Sequence, residues 1–171
     1  MKVIGIDQSL TGTGVSVIND DKLEYSTVIK SKFKGVKRLV DIKNQLIKIY
    51  DSYRPDHIAM EGYGFMTRGR GFELGELGGV IKVTFSELGN PPIIVHPSHL
   101  KKFVTGKGNC DKSLVLMHIY KKYNIEFNDN NIADSYGIAR LVLEIVLMKQ
   151  GKRNRKDFNK EEWAVIKEYI K

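Results

Sequence analysis

Three carboxylates occupy positions where an acidic side chain can do chemistry. Asp7 closes the apolar run Val3-Ile4-Gly5-Ile6, Glu61 closes Ile58-Ala59-Met60, and Asp134 falls near the start of the last long helical pattern. A carboxylate just beyond a buried strand is held at a sheet's end, where open α/β sheets bind ligands. Three of them converging would offer hard oxygen ligands to a cation such as Mg²⁺. Singly, each also reads as a solvated strand-end acid or, for Asp134, a charge at a helix N-terminus. The combination carries more than its members. Other reactive types form no comparable set. His57, His96, His99 and His118 lack metal-ligand spacing, and Cys110 stands alone. Gly106-Lys107-Gly108 lacks the spacing of an ATP-binding phosphate loop, although its backbone and Lys107 suit a DNA phosphate.

The elements that must position these acids follow from periodicity. Val3–Ile6, Val15–Ile18 and Lys22–Ile29 read as strands joined by short polar turns, hence an antiparallel meander. Leu39, Ile42, Leu46, Ile49, Tyr50 and Tyr53 repeat at steps of three and four and form one helical face, stopped at Arg54-Pro55-Asp56. His57–Met60 is a further strand, and a glycine-rich stretch from 62 to 71 leads to a helix over about 72–88. Pro91-Pro92 precedes the strand Ile93–Val95, and helices follow over about 98–104, 111–123 and 131–148. That order implies an α/β sandwich. Residues 1–150 form the main domain. A basic segment, 151–171, reads as an appendage with a short helix at Trp163, Ile166 and Ile170.

Composition narrows the class. The 171 residues are 42% hydrophobic with a net charge of +8, which excludes a disordered chain and favours a polyanionic partner, above all nucleic acid. No apolar run reaches membrane-spanning length, Asp7 interrupts the N-terminus too early for a secretory leader, and one cysteine suits a reducing cytosol. Lys30, Lys32, Lys34, Lys37 and Arg38 form one basic cluster, and a second begins at Lys149.

Four collinear motifs carry a family resemblance. Gly5-Ile6-Asp7-Gln8-Ser9-Leu10-Thr11-Gly12-Thr13-Gly14, Ala59-Met60-Glu61-Gly62, the segment Thr105–Lys112, and Ile132-Ala133-Asp134-Ser135-Tyr136-Gly137-Ile138-Ala139 together resemble RuvC Holliday junction resolvases of the RNase H-like superfamily, most like a bacteriophage member. The resemblance covers roughly residues 1–148 and implies a mixed five-stranded sheet flanked by helices. It further implies metal-dependent resolution of branched DNA by paired phosphodiester hydrolysis in recombination and repair. By that resemblance Asp7, Glu61 and Asp134 match three of four metal-binding acids, with Mg²⁺, or Mn²⁺ in its place, as cofactor. The fourth position holds Asn131, which can coordinate through its carbonyl oxygen but brings no charge; Asp129 is the alternative donor.

Further expectations attach to the same match. Lys112 corresponds to a lysine beside the scissile phosphate. Tyr63 or Phe65 corresponds to an aromatic that stacks on a base at the junction centre, with Arg68, Arg70 and Lys107 contacting phosphates. On the helix over 72–88, Leu74, Leu77, Ile81, Phe85 and Leu88 form a stripe beside Gly75, Gly78 and Gly79. These predict close approach of a second copy in a homodimer. Two rivals remain open. One is a junction-binding protein with weak or no cleavage, which Asn131 favours. The other is an actin-like phosphotransferase, which needs a second lobe for which 171 residues leave no room. No feature of the sequence designates a helicase partner.

Overall fold

Residues 2–29 consist of short apolar or alternating runs broken by polar turns, too short for helices. In the computed structural model, which describes residues 1–63 and 71–170, they form three strands, β1 (Lys2–Asp7), β2 (Thr13–Asn19) and β3 (Lys22–Ile29). The β2–β3 turn is tight enough to place Asp20 at φ 49°, a left-handed conformation that aspartate tolerates better than most residues. Then come α1 (Gly35–Tyr53), β4 (His57–Glu61), α2 (Gly71–Glu87), β5 (Ile93–Val95), α3 (Pro97–Thr105), α4 (Lys112–Tyr123), α5 (Asn130–Lys149) and α6 (Lys160–Ile166). The sheet order is β3-β2-β1-β4-β5; β1 pairs antiparallel with β2 and parallel with β4, and β4 is parallel to β5. The mixed five-stranded sheet expected from the sequence is present, and the five longer predicted helices match within one or two residues, whereas the terminal helix spans Lys160–Ile166 and leaves Ile170 outside it.

Strand periodicity divides the core in two. Ile4 and Ile6 point to one face, where Val15, Val17, Ile58 and Met60 meet Leu39, Ile42 and Leu46 of α1 and Leu77, Ile81 and Phe85 of α2. Val3 and Ala59 point to the other, covered by α5 together with α3, α4 and α6. Asp7 and Glu61 continue the period of Val3 and Ala59, so both project toward the α5 side. Complete burial of Ile138, Leu141, Val142 and Ile145 anchors α5, each worth about 1.5–3 kcal/mol.

Glycines set how closely α5 approaches. A Cβ on Gly5 would lie 2.0 Å from the Ser135 carbonyl oxygen, and one on Gly14 2.0 Å from that of Asn131. Only a bare Cα fits under the helix backbone at these two points. Ser16 Oγ meets Ser135 Oγ at 2.7 Å and Ser135 Oγ donates to the Ile132 carbonyl at 2.8 Å, so the contact is also satisfied in its polar groups.

Two regions differ from expectation. The C-terminal segment is seated on the core rather than hanging from it. Phe158, Val165 and Ile166 are buried with α5, Arg153 Nε donates to Glu144 Oε2 at 3.0 Å, and Lys122 pairs with Glu162. In α2, Leu77, Ile81 and Phe85 are buried within the chain's own domain. Gly78 is covered as well: a Cβ there would lie 2.4 Å from the Tyr63 hydroxyl and 2.5 Å from Gln8 Oε1. Gly78 therefore does not admit a second backbone. The open face of α2 carries Phe72, 95% exposed, Val83, 57% exposed, and Gly75 and Gly79, whose Cβ positions have no atom within 4 Å.

Candidate active site

The parallel register of β1 and β4 pairs Ile6 with Met60, so the residues that follow, Asp7 and Glu61, emerge side by side. Adjacent strands are about 4.8 Å apart, a spacing at which two carboxylates repel strongly unless a cation or donors lie between them. On its other side Asp7 is the register partner of Gly14, and Gly14 carries the first turn of α5 at Asn131. Asp134 follows three residues later on the same helix, about 60° around its axis from Asn131. Asp7 and Glu61 thus share one end of one sheet face, with the first turn of α5 at Asn131 packed on the neighbouring Gly14 and Asp134 further along that helix.

Local contacts fix these elements. The Asp129 side chain caps α5, accepting from Asn131 N at 2.8 Å and from Ile132 N at 3.4 Å. That cap satisfies two otherwise orphaned helix N–H groups through one carboxylate oxygen, Oδ1. Asn131 directs its amide toward the β1–β2 loop, with Nδ2 3.5 Å from where a Gly12 Cβ would lie. Gln8 is a participant that the sequence did not reveal. It is buried, and its Nε2 donates to the Glu61 carbonyl at 3.1 Å, clamping the ends of β1 and β4 together. Nothing in an isolated polar residue after Asp7 signals that role, which depends on a partner 53 positions away.

The remaining predicted residues lie around this end to differing degrees. Tyr63 donates its hydroxyl to the Gly75 carbonyl at 3.1 Å and carries Lys82 Nζ 4.8 Å above its ring, so it is held against α2. Phe65, Arg68 and Arg70 lie outside the described residues. Lys107 is exposed just beyond Gly106, whose φ of 80° ends α3. It borders a cleft of about 600 Å³ shared with His118, Lys121 and Glu161 and without any of the three acids. Lys112 is the first residue of α4; its side chain is not among the described atoms. The four histidines do not assemble into a site: His96 caps α3, and His99 Nδ1 meets the Tyr169 hydroxyl at 2.9 Å. Among the described residues no three His, Cys, Asp or Glu are gathered closely enough to enclose an ion, and no helix is long and apolar enough to cross a membrane. The donor set at the sheet end is nevertheless all oxygen, the kind a hard divalent cation takes.

A mixed β3-β2-β1-β4-β5 sheet flanked by helices places the chain in the RNase H-like fold class. Two solved structures share the fold. Thermus thermophilus RuvC superposes with a TM-score of 0.73 at 21% identity, covering 88% of this chain and 97% of that one. The same protein in complex with Holliday junction substrate gives 0.73 at 22% identity, covering 89% and 96%. Sequence relatives agree. Crossover junction endodeoxyribonuclease RuvC of Prochlorococcus marinus (strain NATL2A) is 30% identical over 149 residues, 81% of this chain and 96% of that protein. The Ehrlichia canis (strain Jake) protein of the same name is 31% identical over 146 residues, 81% and 94%. The family model for crossover junction endodeoxyribonuclease RuvC matches residues 3–141, and the chain belongs to that family. Its nucleases depend on divalent metal ions.

Proposed function

We propose that the chain hydrolyses phosphodiester bonds at four-way DNA junctions, as a homodimer, with Mg²⁺ as the ion. The observation that carries this reading is the register at the sheet end: Asp7 beside Glu61, with the first turn of α5 packed on the neighbouring Gly14. Asp7, Glu61 and Asp134 would hold the ion, with the Asn131 carbonyl oxygen as a neutral donor. When bound, divalent ions of this kind supply a nucleophilic water and stabilise the leaving oxygen. Asp7, on the central strand, has the least freedom to move and would anchor the ion. Gln8 keeps Glu61 level with Asp7 through its bond to the Glu61 carbonyl. Lys107 and Lys112 bring positive charge to the phosphate backbone, Lys112 nearest the scissile group.

Of the two candidate aromatics, Phe65 is the better base-stacking residue, since Tyr63 is tied to α2 by its hydroxyl. Arg68 and Arg70 flank it as phosphate contacts. For the dimer, the exposed Phe72 and Val83, with the open Gly79, form the face of α2 that would meet a second copy. Two-fold symmetry matches paired cuts across a junction.

The test is nicking of a synthetic four-way junction with Mg²⁺. Asp7→Asn and Glu61→Gln should abolish cutting while leaving junction affinity within a few-fold, because the basic surface is untouched. Wild type that binds junctions but never cuts would establish the binding-only reading that the neutral Asn131 favours. Sedimentation at about twice the 19.5 kDa chain mass, lost in Val83→Glu, tests the dimer.

A further inference from the structure

The connection from β3 to α1 takes no part in the site described above. Lys30, Lys32, Lys34, Lys37 and Arg38 place five cations between positions 30 and 38, with no carboxylate among them. Ile29, the last residue of β3, pairs with Thr13, and the next residue of β2, Gly14, pairs with Asp7. The loop therefore leaves the sheet at the same end as Asp7 and Glu61, two strands from Asp7. That is about 10 Å at the usual strand spacing, or roughly three base steps of DNA.

An aromatic ring stands in the middle of this charge. Phe33 is 41% exposed, yet its backbone is fixed from both sides: its N–H donates to Ser31 Oγ at 3.3 Å, and its carbonyl accepts from Arg38 Nε at 3.3 Å. Arg38 also reaches Glu73 at 3.7 Å, tying the loop to the start of α2. Val36, 73% exposed, and Val40, 46% exposed, stand one turn apart on α1 and continue the apolar surface. With Phe33 they line a shallow groove of about 310 Å³ that ends at Asp41 and Asn44.

Charge decides what fits there. A second copy seated about a two-fold axis would bring the lysine cluster against itself, and like charges at close range repel. A nucleic-acid strand complements every part: phosphates for the lysines, a base for the ring, and base-edge hydrogen bonds for Asn44 and Asp41. We propose that Phe33 and this groove form a second base-stacking site. It takes one nucleobase of a strand unpaired beside the cut, with Lys30, Lys32, Lys34 and Lys37 holding the adjoining phosphates. The site rests on the branched-DNA reading above and adds to it a contact on the α1 layer, away from the glycine-rich segment after Glu61.

The experiment uses the full chain, a four-way junction and a matched single strand, both carrying 2-aminopurine near the cut, with binding measured across a salt series. Phe33→Ala should weaken junction binding about tenfold with an unchanged salt slope, and should abolish the stacking-induced fluorescence quench. Phe33→Trp should retain both. Replacing Lys30, Lys32 and Lys34 by alanine should flatten the slope by about 2–3, at roughly 0.7–0.9 for each phosphate that is no longer neutralised. Phe33→Ala with affinity within twofold of wild type and the quench intact would overturn the site. So would Phe33→Ala that dissociates a dimer, because the groove would then belong to a second copy. Wild type showing no preference for junctions refutes the branched-DNA reading instead, and the quench on the single strand still reports on Phe33.

Discussion

Replacing Gly14 by alanine tests whether the approach of α5 to the sheet sets the geometry of the catalytic acids. The new Cβ would lie 2.0 Å from the Asn131 carbonyl oxygen and 2.4 Å from its carbon, both backbone atoms that no rotamer change can remove. Real Cβ contacts essentially never fall below 3.0 Å, so the first turn of α5 must lift by about 1 Å. Asp134 stands on the next turn of the same helix and shifts with it, while Asp7 and Glu61 stay with the strands. A misplacement of about 1 Å in a catalytic constellation costs on the order of 100-fold in rate. Overpacking of this kind costs about 1–3 kcal/mol, or roughly 2–12 °C in Tm for a chain of this size. Single-turnover cleavage of a four-way junction, a thermal melt and a gel-shift titration should show that loss of rate with junction affinity within threefold. A folded Gly14→Ala protein that cuts at one third or more of the wild-type rate would refute the reasoning.

Three further outcomes are expected. Asn131→Asp adds a charged donor beside the Asp7–Gly14 pair and should lower the Mg²⁺ concentration needed for half-maximal cutting; an unchanged requirement would remove position 131 from the ion's surroundings. Glu144→Gln removes the carboxylate shared by Arg140 and Arg153, while Arg140 keeps Asp21 at 2.9 Å, and should cost about 1.5–2 kcal/mol in a denaturant melt. A loss under 1 kcal/mol would contradict it. Burial, with His96 close by, holds the His99 imidazole below its ordinary range, while Glu168 opposes the shift. The folded state then prefers neutral His99, so stability should fall as pH drops through about 6.5, where the unfolded chain begins to bind the proton first. His99→Gln should flatten that part of the stability–pH curve, and equal slopes in the two proteins would count against it.

The order of amino acids was enough to place the sheet, the succession of helices, and Asp7 and Glu61 within them. The reason is local: strand periodicity reads directly which face a side chain takes, and both acids sit at the ends of apolar runs whose period places them with Val3 and Ala59. Asp134 was legible from the motif around it and from its place at the start of a long helix. How these elements meet emerged only in three dimensions. That Asp129 caps α5 is visible only once the exact start of the helix is known. Gly78 looks like part of a helix-packing surface until Gln8 and Tyr63, from other segments, are found over it. The basic tail looks detached because its charges dominate its composition, yet Phe158, Val165 and Ile166 complete a core built around α5. Gln8 and Glu61 stand 53 residues apart, and Ser16 and Ser135 stand 119 apart. Periodicity and spacing describe one element at a time, whereas a contact between distant segments exists only once the whole sheet has closed around it.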